Sequence, residues 1–419
     1  MIKIKNINYT KKGIGAAFDI GTTTIVGRSV DLATGLFLGT AVLPNPQSKW
    51  GRDVVSRINA VVENPALLAD LSKSVVSACN EILERLPQDG GVSEITAAGN
   101  PVMEHILLGI SPEPLSKVPY KPAFKEAKRL KATEIGLSAK DALLYTFPFI
   151  GGFVGGDAVA VALSLGLKEE TEPTLAIDIG TNSEIILSAN GSMYATSAAA
   201  GPAFEGGELK YGMTARDGAI QGVNIEGDRL ILDVIGNAAP KGICGSGLIE
   251  AVSGLLKAEI IERTGRIKDK GEIENNLANK IKEEDGGNSF VLYRGAKGEV
   301  ALNQADIRAL QVAKSATRAG ISMLLKKAQI SPGQIKKVYI AGAFGSHLKK
   351  EGLKEIGLLD SEWLDNIYSV GDAALDGATL ALLTDEAKAE AEDIAAKVKY
   401  VSLSGSAHFE QEFIRNMNF

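Results

Sequence analysis

At 419 residues the chain is long enough for two or three domains with substantial cores. Its 23% charged and 45% hydrophobic residues suit an ordinary globular protein, and a net charge of −6 argues against nucleic acid or an anionic membrane as the main partner. Two cysteines, Cys79 and Cys244, exclude a disulfide framework and a self-contained metal cluster, which points to a reducing, cytoplasmic setting. The start, MIKIKNINYTKKG, lacks the apolar core of a signal peptide, and no apolar run approaches the ~20 residues of a membrane helix.

The first expected strand, Ile14–Ile20, runs into DIGTTT, Asp19 to Thr24, and a second strand follows over Thr24–Val30. A turn at Gly35 then leads to a third strand. Such a strand-to-strand turn makes a phosphate clamp. Glycine lets the backbone approach an anion, while turn N–H groups and threonine hydroxyls donate to it. The aspartate cannot bind phosphate, since like charges repel, but it can hold Mg²⁺ or the ion's water shell. Leu71, Val75, Cys79 and Ile82 recur at helical spacing. Ile95–Ala98 reads as a short strand ending in GNPVMEH, and 111–149 reads as an irregular, proline-rich excursion. GGFVGGDAVAVALSLGL, Gly151 to Leu167, is a glycine turn that opens an apolar helix.

The plan repeats from Thr174. A strand over Leu175–Ile179 enters DIGTNSE, Asp178 to Glu184, followed by strand Ile185–Leu187 and a turn at Asn190-Gly191. AAAGPAFEGG (Ala198 to Gly207) and GICGSGLIEAV (Gly242 to Val252) come next, then a charged stretch over 263–288. An amphipathic helix over Asp306–Lys327 precedes VYIAGAFGSH, Val338 to His347. VGDAALDGATLALL, Val370 to Leu383, repeats the earlier glycine turn and helix, and the charged run 385–399 reads as a solvated helix.

A lone DIGT is no more than a β-turn. Two copies, each opening a three-strand unit and each paired with a glycine-started helix, make that bland reading hard to keep. AGAFG would set its glycine backbone against an adenine or ribose face, where a side chain would clash. Glu184, Asp157 and Asp372 flank the expected phosphate site, and Glu184 is favoured to orient an attacking water. Glu205 is a further candidate. Cys244 reads as a small residue at a tight turn and Cys79 as core. His105 and His347 follow glycine-bearing turns and read as capped or exposed, and His408 has no visible partner.

These residues resemble the superfamily of acetate and sugar kinases, heat-shock chaperones and actin. DIGTTT looks like its first phosphate motif, DIGTNSE its second, and AGAFG its adenosine motif. NPQSKWGRDVVSRI (Asn45 to Ile58), GNPVMEHILLG, AAGPAFEGG, GICGSGLIEAV, AGAFGSH and the C-terminal LSGSAHFEQEFIRNM narrow the likeness. Together they are similar to the ATPase domain of the reductive activators of corrinoid proteins, across nearly the whole chain. The departure is the absence of the four-cysteine pattern of a [2Fe–2S] domain. Either the sequence is a piece of a longer chain, or it is a stand-alone form that needs a separate electron donor; the start at Met1 favours the second.

The resemblance implies an α/β fold of two ribonuclease-H-like halves flanking an ATP cleft, 13–165 and 170–419, with the C-terminal helix returning to the first half. It implies an ATPase with ATP and Mg²⁺ as cofactors and a hinge motion coupled to reduction of cob(II)alamin to cob(I)alamin, while the two cysteines imply no iron–sulfur cluster on this chain. The expected partners are a corrinoid protein or corrinoid-dependent methyltransferase and an external ferredoxin-like donor, with a homodimer left open. Asp19 and Asp178 carry the metal. Asp19, Asp178 and Glu184 carry catalysis. Gly21, Thr22, Thr23, Thr24, Gly180, Thr181, Asn182, Gly201, Pro202, Gly342, Ala343, Phe344 and Gly345 hold the nucleotide. The alternatives are a small-molecule kinase of the same superfamily, an activator of 2-hydroxyacyl-CoA dehydratases, which shares one cluster between subunits through two cysteines each, and a chaperone-like binding module.

Overall fold

The computed structural model describes residues 11–88, 90–284, 286–296, 298–342 and 349–419. In chain order, β1 (Ile14–Ile20), β2 (Thr24–Asp31) and β3 (Phe37–Pro44) are followed by α1 (Val54–Glu63), α2 (Leu67–Arg85), β4 (Val92–Gly99) and α3 (Pro101–Leu107). Next come β5 (Lys128–Lys131), β6 (Leu143–Thr146) and α4 (Gly156–Ser164). The second half opens with β7 (Thr174–Ile179), β8 (Asn182–Ala189) and β9 (Ser192–Ala199), then β10 (Ala219–Glu226), β11 (Arg229–Val234), β12 (Gly242–Ile243) and α5 (Gly245–Lys257). It continues through β13 (Ile281–Lys282), β14 (Ser289–Gly295), β15 (Gly298–Asn303), α6 (Gln304–Ala328), β16 (Lys337–Ala341) and α7 (Lys350–Glu355). It ends with β17 (Ile367–Gly371), α8 (Ala373–Leu383), α9 (Asp385–Lys397), β18 (Lys399–Tyr400) and α10 (Ala407–Arg415). Both three-strand units therefore form where the two DIGT copies predict them.

The chain divides into two compact units. The first holds the chain as far as Asp178, Ile186–Ser197 and Asp372–Ser402; the second holds Ile179–Ile185, Ala198–Gly371 and Leu403–Phe419. Thus α8 and α9 lie in the first unit. The last helix, α10, which the sequence suggests returning there, lies in the second and packs on α6.

In the first unit a six-stranded sheet has the order β3-β2-β1-β4-β6-β5. Strands β1, β2 and β3 pair antiparallel, β1, β4 and β6 parallel, and β5 closes the edge antiparallel. The stretch 111–149, expected to be irregular, therefore supplies two strands of this sheet. Its proline content hides them because each is only four residues long. Alternate residues of a strand face opposite ways. Ala16, Phe18 and Ile20 of β1 enter a cluster with Leu71, Val75 and Ile82 of α2, while Gly15 faces Leu382 of α8. Both faces of β1 are covered, which is why it reads as a continuous apolar run. Each fully buried aliphatic side chain of this kind stabilises by about 1.5–3 kcal/mol. Helix α2 stops at Arg85 because Pro87 follows closely and disfavours helical backbone before it.

Helices α4 and α8 of the first unit touch backbone to backbone. A Cβ on Gly377 would lie 2.0 Å from the Ala160 carbonyl oxygen, so the glycine in LDGATLALL is required by packing. In the second unit, β10 pairs with β11 and β12, β13 to β15 form an antiparallel meander, and β16 and β17 run parallel. Helix α6 begins with a capping box: Asn303 accepts from the Asp306 N–H at 2.8 Å and Asp306 accepts from the Asn303 N–H at 3.0 Å. Among the described residues, no helix is long and apolar enough to cross a membrane.

Candidate functional site

The first DIGT turn links β1 to β2. A Cβ on Gly21 would sit 2.5 Å from the Thr24 carbonyl oxygen, so only glycine closes this turn. Thr22 is buried, and its hydroxyl accepts from Asn100 Nδ2 at 3.0 Å. Asn45 Nδ2 donates to the Gly21 carbonyl at 2.9 Å and the Asn45 N–H to the Thr23 carbonyl at 2.8 Å. Arg57 Nη2 donates to the Thr22 carbonyl at 2.5 Å. The segment NPQSKWGRDVV, which had no assigned task in the sequence, thus packs behind this turn. Asp19, Thr23 and Thr24 stand partly exposed on or beside the turn.

GNPVMEH follows β4, which is parallel to β1, and so reaches the same end of the sheet. Asn100 caps α3 by accepting from the Met103 N–H at 3.0 Å while its amide holds Thr22. Glu104, one turn on, is fully buried and accepts from the Gly99 N–H at 3.1 Å; its second oxygen has no hydrogen-bond partner. Burial first, and then the neighbouring Asp157 charge, hold the Glu104 carboxyl well above the usual carboxylate range. Burial likewise pushes Asp157, in the first turn of α4, up to about 6. Asp372 caps α8 by accepting from the Leu375 N–H at 2.8 Å, and burial pushes it up to about 6 as well, helped by Asp376 and opposed by Arg28. His105 is not exposed. It is buried and stacked on Phe124 at 4.5 Å between ring centroids, with Nδ1 donating to Pro101 and Nε2 accepting from Ala123. Burial drops it to about 4, so it is a neutral core residue.

The second DIGT turn carries Gly180, Thr181 and Asn182 within the second unit. Here a Cβ on Gly180 would meet Asn182 and Glu205 oxygens at an ordinary 3.4 Å. The Thr181 N–H and hydroxyl both donate to Glu205 Oε1, at 2.7 and 2.9 Å. Glu205 Oε2 is buried without a hydrogen-bond partner. The Gly201 N–H donates to the Thr181 carbonyl at 2.8 Å, and Gly201 has φ +77°. Pro202 opens the short 3-10 turn Pro202–Glu205 that returns Glu205 to Thr181. Glu184, on β8, is buried. Behind the AAGPAFEGG segment runs GICGSG: a Cβ on Gly245 would lie 1.6 Å from the Phe204 carbonyl oxygen. Cys244 is buried at the start of α5, its thiol 3.3 Å from the Ile220 carbonyl oxygen, and Cys79 is buried in the first unit with its thiol pushed up to about 12 by burial.

Gly342, with φ +99°, ends β16 and donates its N–H to the Gly371 carbonyl at 2.9 Å. Ala343, Phe344, Gly345 and His347 lie outside the described residues. Among the described residues, no group of three or more His, Cys, Asp or Glu side chains could hold a metal on its own. Each unit therefore gathers several of the singled-out segments. DIGTTT, NPQSKWGRD, GNPVMEH and the α4 turn meet in the first; the second DIGT turn, AAGPAFEGG and GICGSG meet in the second. Sequence reading missed Asn45, Arg57, Asn100 and Glu104, since their partners lie far off in sequence. A polar pattern inside an otherwise unexplained motif was the available signal.

Comparison with known proteins gives the chain its relatives. Residues 172–419 match the family described as the C-terminal domain of RACo, the ASKHA domain, and residues 14–170 match the RACo middle region. The corrinoid activation enzyme RamQ of Eubacterium limosum is 31% identical over 417 residues, covering 97% of this chain and 70% of the relative. The [Co(II) methylated amine-specific corrinoid protein] reductase of Methanosarcina barkeri is 24% identical over 296 residues, 65% of this chain and 51% of the relative. The solved reductive activator for corrinoid, iron–sulfur protein superposes with a TM-score of 0.89 at 37% identity, covering 98% of this chain and 67% of the other. The α/β fold is thus the ASKHA fold of actin-like ATPases, and the chain belongs to the RACo family, of which it carries the middle region and the C-terminal domain.

Proposed function

We propose that this chain binds Mg·ATP at its two DIGT turns, hydrolyses it, and couples the hydrolysis to reduction of a corrinoid protein from Co(II) to Co(I). The observation that carries the nucleotide reading is at Thr181. Its N–H and hydroxyl converge on one anionic oxygen, Glu205 Oε1, at 2.7 and 2.9 Å. That donor pair suits a phosphate oxygen as well as a carboxylate. The relatives' names, a corrinoid activation enzyme and a corrinoid protein reductase, support the partner.

In this reading the turn amides and hydroxyls of Thr22 to Thr24 and of Thr181 hold phosphate oxygens. Gly201 and Pro202 keep the second turn in shape. Asp19 and Asp178, each one residue before the end of its strand, orient the metal's water shell. Magnesium, when bound, neutralises phosphate charge as the bond to the leaving group breaks. Glu184 positions the attacking water, and Gly342 with the following AFG lies against the nucleoside. One electron per cobalt must come from a low-potential donor. Cys79 and Cys244 are both buried and lie in different units, so the electron comes through an iron–sulfur domain or protein beyond these residues.

The test mixes the chain with a Co(II) corrinoid protein from the same organism, ATP and a low-potential reductant. The expected result is appearance of the Co(I) band and faster ATP hydrolysis. If no corrinoid protein changes either signal, while a small metabolite stimulates ATP use and is recovered phosphorylated, a kinase replaces this reading.

A further inference from the structure

The first phosphate turn has an unusual support. Three successive carbonyl oxygens, of Gly21, Thr22 and Thr23, accept hydrogen bonds from Asn45 Nδ2 (2.9 Å), Arg57 Nη2 (2.5 Å) and the Asn45 N–H (2.8 Å). In a trans peptide the N–H points opposite to the C=O. Anchoring these three carbonyls on the Asn45–Arg57 side therefore directs the N–H groups of Thr22, Thr23 and Thr24 the other way. A three-amide turn is floppy by itself, and here its orientation is fixed by two residues that never reach the anion.

Arg57 adds charge to geometry. It is fully buried. Every partner of its guanidinium is neutral: the Gly51 carbonyl at 2.9 Å, the Gln47 amide oxygen at 3.0 Å, the Met103 sulfur at 3.0 Å and the Thr22 carbonyl. Among the described residues no carboxylate lies within ion-pairing distance of it. The acid that it feels most, Asp53, is engaged as the cap of α1, accepting from the Ser56 N–H at 2.8 Å. Gln47 is itself buried and fixed by donating to the Leu71 carbonyl at 3.1 Å, and Asn45 Oδ1 accepts from the Gln47 N–H at 3.0 Å. An arginine buried without an anion is costly unless a counter-charge arrives. The turn that it holds is the one read as meeting a phosphate.

We propose that Arg57, with Asn45, is a positioning residue for the nucleotide's phosphates: it sets the first phosphate turn with its amides outward and leaves a buried positive charge one peptide layer behind the anion. This rests on the nucleotide reading above and assigns a task within it. Arg57 attracts phosphate without contacting it, so it discriminates between ligands that carry phosphates and those that do not. The guanidinium fork is needed to serve Gly51, Gln47 and Thr22 together, which a lysine could not do.

The test is calorimetric titration of the full chain with Mg·ATP and, separately, with adenosine. Arg57→Gln should weaken ATP about tenfold, the effect of one charge acting through a low-dielectric layer, and leave adenosine unchanged. Arg57→Lys, keeping the charge but not the fork, should recover part of the loss. Asn45→Ala, which removes the bond to Gly21 and keeps the charge, should weaken ATP severalfold, again without touching adenosine. Equal loss of ATP and adenosine in these variants would mean a merely structural role and overturns the proposal, as does unchanged ATP affinity. If circular dichroism shows that Arg57→Gln does not fold, the same criterion is applied to Asn45→Ala alone. Absence of ATP binding by the unaltered chain would sink the nucleotide reading itself, a result distinct from loss of selectivity in the variants.

Discussion

The two DIGT turns share four residues and differ in almost everything that holds them. The first is gripped through its carbonyls, by Asn45 and a buried Arg57. The second is gripped mainly through its donors, Thr181 giving both N–H and hydroxyl to Glu205, with a single backbone bond, from the Gly201 N–H, to its carbonyl. The first has no room for a Cβ at Gly21, whereas Gly180 has ordinary clearance. One turn is backed by a cation and its geometry is preset. The other already holds an anion that a phosphate would have to displace or share. A repeated motif therefore fixes where two elements lie in a fold without fixing that they do the same work.

The largest expected effect tests what the turns have in common. Asp19→Ala and Asp178→Ala should each lower Mg-dependent ATP turnover by about 10²–10³-fold, comparable to deleting one strong preorganised electrostatic contact. Circular dichroism should remain native, since both carboxylates are partly exposed. Wild-type turnover in both variants would end the two-clamp idea.

The next effect separates the turns. Gly21→Ala forces a methyl group to 2.5 Å from a backbone oxygen, so the turn must open at a cost of about 1–3 kcal/mol. Turnover should fall with stability. Gly180→Ala places its methyl group at ordinary contact distance, 3.4 Å from the nearest oxygens, and should stay within a fewfold of wild type. Paired melting curves and ATPase assays read the contrast; equal damage from the two substitutions would show that the clearance difference is immaterial.

A smaller effect concerns Glu205. Its Oε1 sits where the Thr181 donors would meet a phosphate, and like charges repel. Glu205→Ala should lower KM for ATP severalfold, each tenfold step being about 1.4 kcal/mol. A higher KM in the variant would show that the carboxylate helps to bind the nucleotide, through the metal, instead of competing with it.

The elements around both turns were legible because strands buried on both faces leave continuous apolar runs, and the spacing of Leu71, Val75, Cys79 and Ile82 announces α2. Helix α6, at Gln304–Ala328, came within two residues of its sequence reading, since its cap and periodicity agree. Strands β5 and β6 were hidden by brevity and prolines. The supports of the turns were not legible at all. Arg57 meets Thr22 across 35 residues and Glu205 meets Thr181 across 24, and only tertiary folding brings such pairs together. His105 shows the reverse error: a histidine after a glycine turn reads as capped or exposed, but two phenylalanine rings, those of Phe124 and Phe149, stack on it in the core.

The last expected effect lies at the paired connecting helices and turns on sign. Asp157 and Asp372 both rise to about 6 through burial, despite helix amides that favour their ionised forms. A carboxyl with a folded pKa above its unfolded value near 3.9 binds more protons folded than unfolded between those pH values. Stability therefore falls as pH rises from about 4 to about 6, and the cost is fully present at neutral pH. Asp372→Asn removes the charge and keeps the cap, because asparagine caps as well as aspartate. It should melt a few degrees higher than wild type at pH 7.5 and equally at pH 4, a gain of about 1–2 kcal/mol. Catalysis should run the other way. If these carboxylates help to order the metal's waters, ATPase activity should climb through pH 6 as they ionise, and Asp157→Asn with Asp372→Asn should flatten that limb. Opposite pH trends in stability and turnover would identify an ionised pair kept at a cost to the fold. If Asp372→Asn instead melts no higher than wild type at pH 7.5, the buried charge costs the fold nothing and Asp372 is an ordinary structural cap.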